Sequence, residues 1–92
     1  MKAPSPRFRV LLHKRAANYL KKAPKHLVER VTNLLDDLER NPIPEGWDIA
    51  KISGEKDAFR VRIGEYRVKY KVLWEERVIV VTDVAPRGRI RY

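Results

Sequence analysis

The chain has 92 residues, no cysteine, and 21 Lys and Arg residues against 12 Asp and Glu residues, which gives a net charge of +9. This length fits one domain over residues 1–92, and the lack of cysteine excludes disulfides and thiolate metal sites. No apolar run is long enough to cross a membrane or to form the core of a signal peptide, so we expect a cytoplasmic protein with no membrane partner. The excess of cations predicts a polyanionic partner or an acidic protein partner.

The first half of the chain predicts one strand and two helices. Residues 1–6 contain two prolines and predict a flexible lead-in, and the apolar-rich residues 7–12 predict a strand. Residues 14–23 have alanines and a leucine at helical spacing and are followed by Pro24, which ends a helix. Residues 25–40 predict the clearest helix, because one apolar stripe runs along it at Leu27, Val31, Leu34, Leu35 and Leu38. Since the joint between the two helices is short, we expect a helical hairpin.

The second half predicts three strands in a meander. A connection over residues 42–56 contains Pro and Gly, and strands are predicted at residues 58–63, 66–74 and 77–85. A basic tail follows at residues 86–92. The order of elements favours an α+β fold in which both helices pack on one face of a curled, mostly antiparallel sheet.

The two central predicted strands carry cations on one face. Because side chains alternate along a strand, the apolar residues of 59–63 share one face and the arginines share the other. The next strand continues this basic face with Arg67 and Lys69. We expect almost no anions there, and a face of this kind suits the phosphates of a nucleic acid. The alternative is an ordinary solvated strand face.

Other polar residues give weak signals. His13 and His26 have no metal-ligand spacing, so we expect surface or helix-end positions, and neither a metal nor a cofactor is predicted. Trp47, in the long connection, is interpreted as a plug over the core between helices and sheet.

Three segments of this chain resemble the RelE/ParE toxin superfamily, and its archaeal RelE branch in particular. They are residues 51–54 (Lys-Ile-Ser-Gly), residues 59–70 of the central strands, and the Pro-Arg-Gly-Arg of residues 86–89 with Tyr92. The resemblance covers residues 7–92 and includes the order of the elements. It implies the toxin of a type II toxin–antitoxin pair, which enters the ribosomal A site and cleaves the mRNA codon there.

The resemblance also implies which residues act. Arg60 and Arg62 match two basic positions of the first central strand, where well-known RelE toxins have lysines. The implied catalytic residues are Arg62, Arg67, Arg87 and Tyr92. The implied RNA-binding residues are Lys51, Arg60, Lys69, Arg89 and Arg91. The implied partners are the ribosome, mRNA and an acidic, partly disordered antitoxin, with the toxin alone as a monomer that joins a larger assembly.

Cleavage by the 2′-hydroxyl of RNA needs a base, cations around the phosphorane and an acid for the leaving oxygen. Arginine can stabilise the phosphorane but does not give up its proton. Tyr92 could accept the proton if neighbouring arginines stabilise its phenolate, and Lys51 is a second candidate if the long connection folds over the basic face. The site is then incomplete until the ribosome positions the RNA.

Two other functions fit the same sequence. One is a toxin of the ParE branch, which poisons DNA gyrase and cuts no RNA. The other is a plain nucleic-acid-binding module without toxicity. A gyrase poison does not require four arginines to converge on one face, and the expected convergence therefore favours the ribonuclease.

Overall fold

The computed structural model describes residues 7–92, so the predicted lead-in at residues 1–6 lies outside the described residues. The elements in chain order are β1 (Arg9–Leu12), α1 (Lys14–Lys21), α2 (Lys25–Arg40), β2 (Asp48–Lys51), β3 (Ala58–Ile63), β4 (Tyr66–Leu73) and β5 (Val78–Pro86). The predicted helices and the three later strands are all present, with ends that shift by two residues or fewer. The predicted connection contains one additional strand, β2.

The five strands form one mixed sheet in the order β1-β5-β4-β3-β2. The meander β3-β4-β5 is antiparallel as predicted, and β1 lies parallel to β5 at one edge. At the other edge β2 pairs antiparallel with β3, with Asp48 opposite Arg62 and Lys51 opposite Phe59. A strand of four residues after a Pro/Gly-containing stretch has too little alternation to be recognised from sequence.

The core lies between α2 and the apolar face of the sheet. The predicted stripe of α2 is buried except for Leu35, which is half-buried. Leu27, Leu34 and Leu38 are fully inaccessible, and the stripe packs with sheet residues such as Val61 and Val68. Full burial of each such side chain stabilises the fold by roughly 1.5–3 kcal/mol relative to leaving the side chain exposed. Since α2 covers this face, the arginines of β3 alternate onto the opposite face of the sheet.

The helix ends and Trp47 agree with the sequence interpretation. His13 is the N-cap of α1, where its Nδ1 accepts a hydrogen bond from the main-chain N–H of Arg15 at 3.1 Å. Trp47 packs against the core, and its Nε1 donates to the carboxylate of Asp37 at 2.8 Å. The connection before β2 is therefore held against α2, and this fixes where β2 can join the sheet.

A bulge interrupts the pairing of β4 with β5. Lys69 lies opposite Asp83 while Tyr70 lies opposite Val81, so Thr82 is the extra residue. Its hydroxyl donates to the carbonyl of Lys69 at 3.3 Å. Bulges increase the local twist of a strand pair, and this one involves Lys69 of the predicted basic face.

Candidate nucleic-acid groove

A groove of about 590 Å³ lies on the face of the sheet opposite α2. Its sides come from β2 with the segment that follows it, from β3 and β4, and from the tail after β5. The lining residues are Ala50, Lys51, Ile52, Ser53, Arg60, Arg62, Arg67, Arg87, Gly88, Ile90 and Tyr92. The structure thus brings six of the nine sequence-predicted site residues to one place.

Arg60 and Arg62 project into the groove from alternate positions of β3. The Arg60 side chain is mostly covered, with 21% of its area exposed, whereas 54% of Arg62 is exposed. Within residues 7–92 the buried Nη1 of Arg60 has no hydrogen-bond partner. A buried donor without an acceptor is costly.

The groove is less free of anions than predicted, because Asp48 on the neighbouring β2 faces both arginines. Its Oδ1 lies 3.8 Å from Nη1 of Arg60, and its Oδ2 lies 3.7 Å from Nη1 of Arg62. The expectation of a cationic face with almost no anions was wrong here. Since β2 was not recognised in the sequence, the register that brings Asp48 opposite Arg62 could not be anticipated.

Lys69 is a second correction to the predicted basic face. Its ammonium lies 2.9 Å from the carboxylate of Glu55, and only 15% of the side chain is exposed. Lys69 is absent from the groove lining. A lysine held this closely by a carboxylate is poorly available to a phosphate, so the structure gives no support to its predicted RNA contact.

Arg67, which the sequence places on the basic face, is buried. The residue is 7% exposed, and its Nη1 donates to the carbonyls of Gly64 at 2.9 Å and of Tyr66 at 2.8 Å. These bonds secure the turn between β3 and β4 and offset the repulsion from Arg62, which lies directly opposite in the sheet. Arg67 still borders the groove, but its Nη1 is occupied by hydrogen bonds that stabilise the turn.

The tail reaches the groove through a tight turn after β5. The main-chain N–H of Arg87 donates to the carbonyl of Glu65 at 2.7 Å, and that of Arg89 donates to the carbonyl of Pro86 at 3.0 Å. Gly88 sits between them at a φ of +87°, a conformation that glycine adopts without strain. This turn places Arg87 and Tyr92 at the groove, with Tyr92 55% exposed.

Arg89 and Arg91 were predicted as RNA contacts beside Tyr92, but they face another hollow. That hollow lies between α1 and the end of β5, and Arg15, Tyr19 and Asp83 contribute to it. The buried carboxylate of Asp83 accepts from the main-chain N–H of Arg91 at 3.4 Å. Burial raises the pKa of Tyr19, as does Tyr66, while Arg89 acts in the opposite direction. The turn at Gly88, with its positive φ, separates these two arginines from Arg87.

The residues missed by sequence reasoning are Asp48 and Glu55, together with the groove wall at Ile52 and Ser53. Asp48 precedes an alternating Ile-Ala-Lys segment, and this short pattern was the available signal for an edge strand.

In the described part of the chain no helix is long and apolar enough to cross a membrane. Residues 7–92 also contain no cluster of three or more His, Cys, Asp or Glu side chains that could hold a metal ion.

Comparison with known proteins agrees with this architecture. The model of the family described as the ParE toxin of type II toxin–antitoxin system, parDE, matches residues 10–91. A curated relative from Methanocaldococcus jannaschii, named as a candidate toxin, RelE1, is 39% identical over 82 residues, which cover 88% of this chain and 91% of that protein.

Solved structures give the same result. The archaeal RelE–RelB complex from Pyrococcus horikoshii OT3 matches with a TM-score of 0.78 and 38% identity, over 90% of this chain and 98% of the matched chain. The RelB–RelE antitoxin–toxin complex from Methanococcus jannaschii matches with a TM-score of 0.72 and 25% identity, over 83% and 88% of the two chains. Because the family model matches residues 10–91 and the relative from Methanocaldococcus jannaschii is 39% identical, the chain belongs to the ParE toxin family of type II toxin–antitoxin systems.

Proposed function

We propose that this toxin is a ribosome-dependent endoribonuclease that cleaves mRNA in the ribosomal A site and so inhibits translation. The observation that carries the proposal is the convergence of Arg60, Arg62 and Arg87 with Tyr92 around one groove. Forked guanidinium groups suit phosphate oxygens, and an exposed phenol beside them can stack on a base or exchange a proton. The relatives whose names contain RelE support the same branch.

In this proposal the groove holds the scissile phosphate and its neighbours. Arg62 and Arg87 stabilise the negative charge that develops on the phosphorane, because cations aimed at that charge lower the energy of the transition state. Arg60, with its unsatisfied Nη1, binds a phosphate oxygen of the bound strand. Lys51, which borders the groove at the end of β2, contacts the RNA backbone.

Tyr92 is the proposed proton-transfer group, with Lys51 as the second candidate. The phenol can accept the proton of the 2′-hydroxyl or donate one to the leaving oxygen. Tyr92 is half exposed on a short tail, and no side-chain hydrogen bond to the described residues 7–92 orients its phenol. Binding in the A site would supply the missing orientation, and correct geometry alone is worth ~7–11 kcal/mol of barrier.

A second candidate function is that of a gyrase poison, since the matching family model carries the name ParE. That activity places no requirement on a groove lined by arginines and a tyrosine. The groove therefore favours the ribonuclease over the gyrase poison.

We also propose that an antitoxin silences the protein by covering this basic face, in the cytoplasm where ribosomes translate. Two of the matched structures are complexes of RelE with RelB. A net charge of +9 suits an acidic, partly disordered partner that folds on binding. The toxin alone is proposed to be a monomer.

Primer extension on translated mRNA tests the proposal. With purified ribosomes, the protein is expected to produce cuts inside codons that occupy the A site. A gyrase supercoiling assay with the same preparation addresses the second candidate. Absence of cuts together with inhibited supercoiling would replace the first function by the second.

A further inference from the structure

The carboxylate of Asp48 is placed as a phosphate would be. One of its oxygens faces Arg60 at 3.8 Å and the other faces Arg62 at 3.7 Å. A phosphate bound by paired arginines adopts the same arrangement, in which two negatively charged oxygens are shared between two guanidinium groups. An RNA phosphate at this position would have to approach the same two side chains and would also meet the charge of Asp48.

The ion pairs of Asp48 are loose enough to be displaced. Both distances exceed hydrogen-bond length, and the carboxylate side chain is 55% exposed. Exposed ion pairs of this geometry contribute little to stability. By contrast, Lys69 is held by Glu55 at 2.9 Å. Asp48 is therefore held by Arg60 and Arg62 more loosely than Glu55 is held by Lys69.

Arg60 provides a second, independent observation. Its buried Nη1, the atom nearest Asp48, makes no hydrogen bond to any of the described residues 7–92. The carboxylate thus neutralises part of the charge of Arg60 without satisfying its donor. A phosphate oxygen that displaces Asp48 and comes within hydrogen-bond distance would neutralise the charge and also satisfy the donor. An RNA strand that is held firmly in place can therefore outcompete Asp48, whereas a loosely bound strand gains less binding energy.

We propose that Asp48 is an internal counter-ion that weakens binding of free single-stranded RNA. Tight binding is then restricted to RNA that a second surface, here the ribosome, holds against the groove. The proposal rests on the proposed function, because it assigns the selectivity of the same groove. Asp48 acts through Arg60 and Arg62 and is a specificity residue, with no direct part in bond cleavage.

The test is a binding measurement that does not depend on cleavage. The probe is a short, labelled single-stranded RNA with 2′-O-methyl groups, which lacks the attacking hydroxyl. Fluorescence anisotropy gives its Kd for the wild type and for Asp48→Asn. The matched control is Glu29→Gln, which removes one negative charge from an exposed position of α2 on the covered side of the sheet. Both variants raise the net charge from +9 to +10.

At low salt, Asp48→Asn is expected to lower the Kd about threefold to tenfold, since two screened ion pairs are removed. Glu29→Gln is expected to change the Kd less than about twofold, because its charge lies far from the groove and is screened. The slope of log K against log salt should become steeper by about 0.7 in Asp48→Asn if one additional phosphate is neutralised.

Equal Kd values for Asp48→Asn and Glu29→Gln would overturn the inference. If Asp48→Asn does not fold, Asp48→Ser supplies a second uncharged variant for the same comparison, and Asp48→Glu, which keeps the charge, should resemble the wild type. Failure of the proposed function is visible separately, as the absence of codon cuts by the wild type in primer extension, while the effect of Asp48 on RNA binding remains measurable.

Discussion

The phenol of Tyr70 donates a hydrogen bond of 2.6 Å to the carbonyl of Pro42, and so links the central strand β4 to the connection that leads into β2. Tyr70 is fully buried, and its ring stacks on Phe59 with centroids 5.3 Å apart. The wall of the groove formed by β2 is thus anchored to the core through one tyrosine and through Trp47. Positioning of the groove and stability of the fold are coupled at this point.

Tyr70→Phe is expected to destabilise the protein by about 1–3 kcal/mol at neutral pH, because the buried carbonyl of Pro42 loses its donor. Burial raises the pKa of Tyr70 above its ordinary value. Above about pH 10 the unfolded chain releases this proton while the folded chain retains it, so the wild type loses up to about 1.4 kcal/mol per pH unit through this group. Urea unfolding from pH 8 to 11 should show the gap between wild type and Tyr70→Phe closing as pH rises. A gap that stays constant would contradict this linkage.

Arg87→Ala and Arg67→Ala are expected to separate catalysis from stability. Arg87 is exposed and its main-chain bond to Glu65 survives the substitution, so cleavage should fall tenfold or more, up to the ~2.7–4 kcal/mol of one lost charge donor. The melting temperature should stay unchanged.

Arg67→Ala also removes the two hydrogen bonds to the carbonyls of Gly64 and Tyr66. We expect a lower melting temperature together with reduced cleavage. Circular dichroism melts alongside cleavage of programmed ribosomes check both variants. An Arg87→Ala protein with wild-type cleavage would remove that residue from the site.

Tyr92→Phe keeps the aromatic ring and removes the phenol. If the phenol transfers a proton, single-turnover cleavage should fall by ~10²-fold or more, with ribosome binding little changed. If the ring only stacks on a base, Tyr92→Phe should be nearly silent and Tyr92→Ala should be impaired. We expect the first result, and full activity of Tyr92→Phe would exclude Tyr92 as acid or base and shift that role to Lys51 or to the ribosome.

Purified RNA without ribosomes is expected to be bound in a salt-dependent way but hardly cleaved. If about four phosphates contact the groove, the slope of log K against log salt should be about −3 on single strands. Filter binding across a salt series measures the slope, and gel analysis of the same mixtures measures cleavage. Rapid degradation of RNA in the absence of ribosomes would contradict the ribosome-dependent function.

The helices and the meander were predictable because their hydrophobic periods are long and clean. The stripe of α2 and the alternation of residues 58–63 extend over several repeats, and both were predicted at their observed bounds. The edge strand β2 has four residues and could not be recognised in the same way. Because β2 was not predicted, the ion pairs of Asp48 with Arg60 and Arg62 could not be predicted either.

The sequence pattern also could not predict how the side chains of Arg67 and of the tail arginines are oriented. Arg67 alternates correctly onto the basic face, yet the nearby turn carbonyls bind its guanidinium. In the tail, one glycine with positive φ decides that Arg87 and Arg89 face different hollows. Short-range geometry of this kind depends on contacts that a residue pattern does not contain.

The parallel pairing of β1 with β5 has a consequence for synthesis of the protein. Residues 9–12 are synthesised well before their partners at residues 78–81. Because domains fold as units and long-range pairing comes late, the sheet stays incomplete until β5 has emerged. The groove also needs Arg87, Gly88, Ile90 and Tyr92, so a ribosome that is still making these residues meets a toxin whose groove has not yet been assembled.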